Sequence, residues 1–309
     1  MPVFVLDPIS PLALERLSAA HDVVDWRNRR LSEWPEAADA IVTRTSPVNA
    51  ADIARARRLK IIGKHGVGYD NIAVEAARAR GIPVVNTPGA NADAVAELVL
   101  GLALACARHI VAADRVLRAG ELARMPVPTG RELAGRRLGI AGFGQVGRRV
   151  ADLFAHAFRT PIAAYDPGVA ADSIRTAGAT PVDSLDALLG ESDIVSLHLP
   201  LTSATRGLIG ARELALMPAG SLLVNTARGG IVDEAALAAA LLRGRPAAAA
   251  SDVFVTEPPP ADHPLLALPN FIATPHIGAA TAESLDRVGL LVVEQVLDVL
   301  AGLPPRFPV

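Results

Sequence analysis

One cysteine, Cys106, is all that the chain contains. That excludes an internal disulfide and zinc sites built from four cysteines or from two cysteines and two histidines, and it fits a reducing compartment. Lysine is almost as scarce. Only Lys60 and Lys64 occur, and every other basic side chain is arginine. Alanine is frequent as well, so this bias belongs to the overall composition rather than to a site. Neither sign of charge predominates. Lys+Arg number 30 against 32 Asp+Glu, a net charge of −2, which argues against nucleic acid or an anionic membrane surface as partner. The opening Met-Pro-Val-Phe-Val-Leu-Asp lacks the cationic stretch of a signal peptide. The longest apolar run, Ala94 to Ala107, is interrupted by Glu97 and is too short to span a bilayer. A soluble, cytoplasmic protein is expected, with no nucleic-acid or membrane partner and no metal.

What is present is ample material for packed cores: 51% of the 309 residues are hydrophobic and 20% are charged. A disordered chain is excluded, and the length suits two domains of roughly 150 residues. Short β-branched runs alternate with helical stretches over nearly the whole chain, which predicts parallel sheets with crossover helices. Strands are expected at Val3–Asp7, Ala40–Arg44, Lys60–Gly63 and Pro83–Asn86. Helical patterns lie between them near Pro11–Ala20, Ala50–Ala56 and Val74–Arg80. From Ala92 to about Ala119 one apolar helix pattern runs on without a proline or turn cluster, as a domain connector or an oligomer face. Gly120–Gly135, rich in proline, glycine and charge, is expected to be an exposed loop. A second α/β series follows, with strands at Arg137–Ala141, Pro161–Asp166, Asp193–Leu199, Ser221–Thr226, Ala247–Phe254 and Asn270–Thr274. A helix over about Ala282–Leu300 comes last.

At the first strand of that second series stands Gly142-Phe-Gly144-Gln145-Val146-Gly147, a G-x-G-x-x-G between a strand and a helix. The first glycine allows a tight turn, the second lets the backbone approach a pyrophosphate, and the third lets helix pack on strand. N–H groups at the helix start then face the phosphate charge. Asp166 closes the next predicted strand about 20 residues further on, where a carboxylate accepts a ribose 2′-OH and repels a 2′-phosphate. The pattern points to a dinucleotide, and to NAD rather than NADP.

Three later segments end predicted strands and carry Arg228, Glu257 and His276. In an open parallel sheet, ligands lie beyond the carboxyl ends of the strands. Such a trio suits reduction of a 2-oxo acid. Arginine fixes the planar carboxylate and polarises the ketone, and histidine supplies its proton. A glutamate on the other ring nitrogen orients the imidazole and favours its protonated form. Each also has a plainer reading, as a solvated turn arginine, a loop charge and a satisfied turn histidine.

The motifs around these residues are more specific. Asn225-Thr-Ala-Arg-Gly-Gly-Ile-Val-Asp-Glu, Asp252-Val-Phe-Val-Thr-Glu-Pro and Pro275-His-Ile-Gly-Ala-Ala-Thr resemble signatures of the D-isomer-specific 2-hydroxyacid dehydrogenases. So do Gly66-Val-Gly-Tyr-Asp-Asn-Ile and Asn86-Thr-Pro-Gly-Ala-Asn with Val95-Ala-Glu-Leu. The likeness runs through nearly the whole chain and is strongest to the 3-phosphoglycerate dehydrogenase and hydroxypyruvate/glyoxylate reductase branch. It implies two doubly wound α/β domains: a flavodoxin-like substrate domain from 1–98 and 283–309, and a Rossmann NAD domain over 99–282. It implies Arg228, Glu257 and His276 as catalytic. The glycine loop with backbone of Gln145 and Val146 would take the pyrophosphate, Asp166 the ribose and Asp252 the nicotinamide carboxamide. Pro200, Thr205, Thr226, Ala227 and Gly278 would line the cofactor. Val67 and Gly68 would present N–H groups to the substrate carboxylate, and the long helix after Asn91 would be a hinge and a homodimer contact.

In phosphoglycerate dehydrogenases of this kind, basic residues matching Arg44 and Lys64 hold the substrate phosphate. That makes an anionic 2-hydroxy acid the first expectation and hydroxypyruvate or glyoxylate the second. Arg44 and Lys64 also read as solvated edge charges. The sequence departs from the family in places. The chain ends at Val309, so no C-terminal regulatory domain and no serine feedback are expected. Gly120-Glu-Leu-Ala-Arg-Met-Pro lacks the tryptophan usual after that glycine, and Asp93 replaces a small or hydroxylic residue. A function of another class, a dinucleotide-sensing corepressor-like scaffold, would keep the same fold, but no basic tail supports it. Glu257 argues against a formate-dehydrogenase-like site, where an amide pairs the histidine. His198 and His263 with Asp252 make a poor metal set, because strand-end packing and loop exposure account for them.

Overall fold

The computed structural model describes residues 1–125 and 127–309. The expected loop over Gly120–Gly135 includes position 126, which lies outside the described residues. By contacts the chain divides into two units, Met1–Asn91 with Ala279–Val309, and Ala92–Gly278. The division falls at 91/92 and 278/279, where 98/99 and 282/283 were expected, so that helix Ala92–Ala107 lies wholly in the second unit.

The first unit holds strands β1 (Pro2–Val5), β2 (Asp22–Val24), β3 (Ala40–Thr43), β4 (Ile61–Lys64) and β5 (Val84–Val85). They pair in the order β2-β1-β3-β4-β5, all parallel, which is the flavodoxin-like order. β3 and β4 are buried along their whole length, as parallel strands covered on both faces must be. Helix Ala282–Leu300 covers one face, placing Val292, Val293 and Val296 among Val5, Val42, Ile61 and Val85.

The second unit holds β6 (Leu138–Ala141), β7 (Ile162–Tyr165), β8 (Thr180–Pro181), β9 (Ile194–Leu197), β10 (Leu222–Asn225), β11 (Ala248–Ser251) and β12 (Phe271–Ala273). The order β12-β11-β10-β9-β6-β7-β8 is all parallel and Rossmann-type, with the glycine-loop strand β6 at the reversal. β11 reads Ala-Ala-Ala-Ser, a helix-favouring composition. Burial between two neighbouring strands overrides that preference. Across the sheet Ala141, Leu197, Asn225, Ser251 and Ala273 pair in one row. The loops that follow β6, β9, β10, β11 and β12 therefore leave from a common edge.

Two expectations are corrected. The run from Ala92 to about Ala119 is not one helix. It is Ala92–Ala107 and Ile110–Arg118, bent by 61°, with His109 between them in the left-handed region at φ 54°. No proline or glycine marks that break. β2 and β8, too short to show alternation, were not expected as strands. Among the described residues no single helix is long and apolar enough to cross a membrane. Asp93, the unusual residue at the start of Ala92–Ala107, pairs with Arg149 of helix Gln145–Phe158 at 2.6 Å.

The end of β1 is tied to the end of β3 by one buried carboxylate. Asp7 accepts the N–H groups of Arg44 (2.6 Å), Thr45 (3.0 Å) and Ser46 (3.0 Å) and the hydroxyls of Thr43, Thr45 and Ser46. Burial alone raises a carboxyl pKa. Here the Arg44 and Ser46 N–H groups and the Ser46 and Thr45 hydroxyls outweigh it, holding Asp7 at about 2 against an ordinary 3.8. A depressed carboxyl contributes stability that is complete above its unfolded value and lost as pH falls through the folded one. Asp7→Ala should destabilise the protein by about 1–3 kcal/mol at neutral pH, because buried donors lose their acceptor. Urea unfolding between pH 5 and pH 2 should also show a shallower acid loss in the variant. An equally steep loss in both proteins would refute the role given to Asp7.

Candidate active site

The loop after β6 is shaped to leave backbone exposed. Gly142 stands at φ 93°, and a Cβ on Gly147 would lie 2.2 Å from the Gly142 oxygen, so helix and turn meet closely. Gly144 caps helix Gln145–Phe158 without any side-chain hydrogen bond, and nothing lies within 4 Å of where its Cβ would stand. The first N–H groups of a helix, here those of Gln145 and Val146, have no partner within it. Asp166 steadies the loop by accepting the Phe143 N–H (2.7 Å) and the Gly168 N–H (2.9 Å). Thr205 donates to the Pro200 oxygen at 2.6 Å, folding the loop after β9. Thr226 Oγ1 is buried without a partner. An open glycine cradle, an uncapped 14-residue helix and an orphaned hydroxyl at one sheet edge fit a dinucleotide.

The loops after β10, β11 and β12 carry the expected trio. Asn225 turns the first of them, accepting the Ala227 N–H (3.1 Å) and donating to the Arg228 oxygen (3.1 Å). Arg228 Nη1 donates to the Ala227 oxygen at 2.6 Å. A Cβ on Gly229 would stand 2.0 Å from the Phe254 oxygen, so the Arg228 loop and the loop leading to Glu257 lie backbone to backbone. Glu257 Oε1 accepts the Phe254 N–H (3.0 Å), and Oε2 meets His276 Nδ1 at 2.7 Å. Partial burial pushes the Glu257 pKa up, but the His276 hydrogen bond, the Phe254 N–H and the fields of His276 and Arg228 outweigh it. The carboxyl is held below its ordinary value.

His276 is held in the left-handed region, at φ 54°. A non-glycine residue there is strained and is kept by its surroundings. Those surroundings centre on Asp252, which is almost wholly buried. Its Oδ1 accepts the Thr274 hydroxyl (2.6 Å) and the Ile277 N–H (2.8 Å), and Oδ2 accepts the Gly278 N–H (2.8 Å). Its backbone oxygen takes the His276 N–H at 2.9 Å. Asp252 thus anchors the turn that presents the histidine, and three of a carboxylate's roughly four acceptor positions are filled. With Ala227 buried at the first loop and Gly278 buried at the third, the expected cofactor residues share this edge.

Within the first unit, the Lys64 ammonium donates to the Arg44 oxygen and to Asn71 Oδ1 (2.8 Å), and Lys64 is buried. It braces the loop after β3 against the Gly66–Asn71 loop and is no solvated edge charge. The Arg44 guanidinium is half-buried and has no hydrogen-bond partner among the described residues. Asn86 donates to the Val67 oxygen at 2.8 Å. The N–H groups of Val67 and Gly68 have no partner among the described residues. His198 bonds Ser196 and His263 bonds Glu234, and no three His, Cys, Asp or Glu among the described residues gather as metal ligands.

Sequence reasoning named Arg228, Glu257 and His276 and missed the residues that hold their loops. Asn225 heads the motif it organises, so an Asx-turn search would have found it. Gly229 was visible only as half of a Gly-Gly pair.

A family model described as "D-isomer specific 2-hydroxyacid dehydrogenase, NAD binding domain" matches residues 100–278. The chain belongs to the D-isomer-specific 2-hydroxyacid dehydrogenase family. Its second unit is the family's NAD-binding domain. Among curated members, a hydroxypyruvate reductase of Thermotoga maritima is 46% identical over 263 residues, covering 84% of this chain and 83% of that protein. A D-3-phosphoglycerate dehydrogenase of Archaeoglobus fulgidus is 42% identical over 311 residues, 99% of this chain. The chain spans only 58% of that relative's length. Among solved structures, an NAD+-bound 3-phosphoglycerate dehydrogenase of Entamoeba histolytica superposes with a TM-score of 0.83. It is 30% identical, with 100% of this chain and 98% of that one covered.

In this dehydrogenase-family chain the contact at Gly229 is between backbones, so no side chain can yield to an added methyl. Gly229→Ala should destabilise by about 1–3 kcal/mol, the usual cost of overpacking. It should also separate Glu257 from His276. Calorimetry and the histidine ring resonances of the variant check both, and unchanged stability would show that the loops are not in contact.

Proposed function

We propose that the protein is an NAD-dependent D-2-hydroxyacid dehydrogenase that interconverts a small 2-oxo acid and its 2-hydroxy acid. The observation that carries this reading is the 2.7 Å pair of His276 Nδ1 and Glu257 Oε2, with the Arg228 charge close enough to depress Glu257. When bound, NAD supplies or takes up the hydride. Gln145 and Val146 offer N–H groups to its pyrophosphate, and Asp166 accepts from its ribose. Asp252 has room for one carboxamide donor, and Pro200, Thr205, Thr226, Ala227 and Gly278 line it. With Nδ1 held by Glu257, His276 presents Nε2 to the substrate oxygen, giving a proton in reduction and taking it back in oxidation. Ionised Glu257 favours the imidazolium that must form. Arg228 holds a carboxylate of the substrate and polarises its ketone; within the first unit, the N–H groups of Val67 and Gly68 are suited to a carboxylate.

The substrate we propose carries a second anion, met by Arg44, with Lys64 holding the Arg44 loop in place. 3-Phosphoglycerate and its oxo acid have that form. Hydroxypyruvate or glyoxylate is the second reading. It is favoured by the Thermotoga reductase, whose length the chain covers to 83%, and by the internal use of the Lys64 ammonium. We also propose a cytoplasmic homodimer, for which exposed Ile110 and Leu117 on helix Ile110–Arg118 offer an apolar face.

NADH oxidation measured against glyoxylate, hydroxypyruvate, phosphohydroxypyruvate, sulfopyruvate and pyruvate tests the reading directly. His276→Asn keeps a polar side chain and loses the acid. Its kcat should fall about 10²–10⁴-fold with NADH binding little changed. Wild-type turnover in that variant, or no activity of the native enzyme on any 2-oxo acid, would sink the assignment.

Arg44→Ala separates the two substrate readings. A charge-assisted contact is worth roughly 1.5–3 kcal/mol, or about 10- to 150-fold. KM for phosphohydroxypyruvate should rise by that factor while glyoxylate, which has no far end, changes little. Equal effects on both substrates would return the choice to the smaller 2-oxo acids.

A further inference from the structure

Glu257 can pair with His276 only if the loop that carries it is held, and side chains outside the catalytic trio do the holding. Glu234 begins helix Glu234–Leu242. Its Oε1 accepts the Val255 N–H at 2.8 Å, and its Oε2 meets His263 Nε2 at 3.1 Å. His263 Nδ1 accepts the Leu265 N–H at 3.3 Å. That bond places the ring proton on Nε2, facing the carboxylate. The Phe254 ring lies edge-on to His263, with centroids 5.6 Å apart, and edge-on to Phe271.

Two successive N–H groups in this loop thus end on two different carboxylates. Phe254 donates to Glu257, and Val255 donates to Glu234. The peptide between them is also the one that rests on Gly229. It is pinned by backbone contact on one side, by Glu234 on another, and by the Phe254 ring through His263. Releasing Glu234 removes one of these holds, and the Phe254–Val255 peptide can then shift the Phe254 Cα that joins it to the next plane, loosening the Phe254 N–H that aims Glu257.

We propose that Glu234 and His263 form a positioning brace for Glu257: Glu234 fixes the Phe254–Val255 peptide, and His263 fixes Glu234. Neither touches the reacting atoms. The proposal rests on Glu257 being the partner of the catalytic His276, and it adds the residues that set how well that partnership is made.

The test is a double-mutant cycle read with glyoxylate and NADH. Glu234→Ala should lower kcat about 10-fold, as small misplacements of catalytic groups do, with KM for NADH little changed. The alkaline limb of reduction should move to lower pH, the direction expected of Glu257→Gln, since both leave His276 less well paired with a negative charge. Glu234→Gln keeps an acceptor for the Val255 N–H and should recover most of the loss. In a Glu257→Gln background, Glu234→Ala should have little further effect, because it acts through the group already removed. Hydrogen exchange supplies a readout without turnover: in Glu234→Ala and His263→Ala the 253–257 segment should exchange faster while the β10 and β11 amides do not. Equal losses from Glu234→Ala in both backgrounds, or unchanged exchange at 253–257, would overturn the brace alone. If Glu257→Gln itself changes neither kcat nor the pH profile, the catalytic reading of Glu257 falls and the brace falls with it.

Discussion

The Phe254 oxygen lies 2.0 Å from where a Cβ of residue 229 would be, and the arrangement of Arg228 and Glu257 follows from that contact. Two loops leaving adjacent strands can lie against each other only if one of them has no side chain at the meeting point. Once they do, Arg228 is brought near Glu257, and the Phe254 N–H is set to hold the Glu257 carboxylate. A third loop joins through Asp252, whose carboxylate gathers Thr274, Ile277 and Gly278 and so keeps His276 in a backbone conformation it would not otherwise favour. The sheet register puts all three loops on one edge. Local polar anchors then fix each loop to within hydrogen-bond distance of the next.

Much of the scaffold is legible in the sequence because its signals are local. β-branched runs mark buried parallel strands, and a glycine pattern between strand and helix marks the cofactor turn. The pairing of Glu257 with His276 is not local, and spacing alone left it one reading among several until the surrounding motifs were compared with a family. The break at His109 had no signal, since a histidine in a left-handed conformation looks like any helical residue in a list of letters. Glu234 and His263 were not singled out as supports because Glu234 meets Val255 and His263 across distant packing, whereas Asn225 acts locally within its own turn. Lys64 was open to two readings, a phosphate contact or a solvated edge charge, and sequence carries no sign that its ammonium donates to the Arg44 oxygen and to Asn71.

In the first unit, the backbone N–H groups of residues 44–46 and those of Val67 and Gly68 differ in what they meet. At residues 44–46 the protein supplies its own anion, Asp7, and the loop is rigid around it. At Val67 and Gly68 no carboxylate of the described residues answers, and the loop is shaped from behind by Asn86.

Helix Ala282–Leu300 carries a consequence for how the molecule is made. It packs on the sheet built from residues 2–85, yet the whole second unit separates the two in sequence. During synthesis from the N-terminus, the five-stranded sheet emerges early, with Val42, Ile61 and Val85 lacking the valines that later cover them. The second unit is continuous and can complete its core first. The early segment must wait with apolar surface uncovered, and closing so long a loop is slow. The first unit is begun first and finished last, so the nascent chain is most exposed to aggregation in the interval between Val85 and Val292.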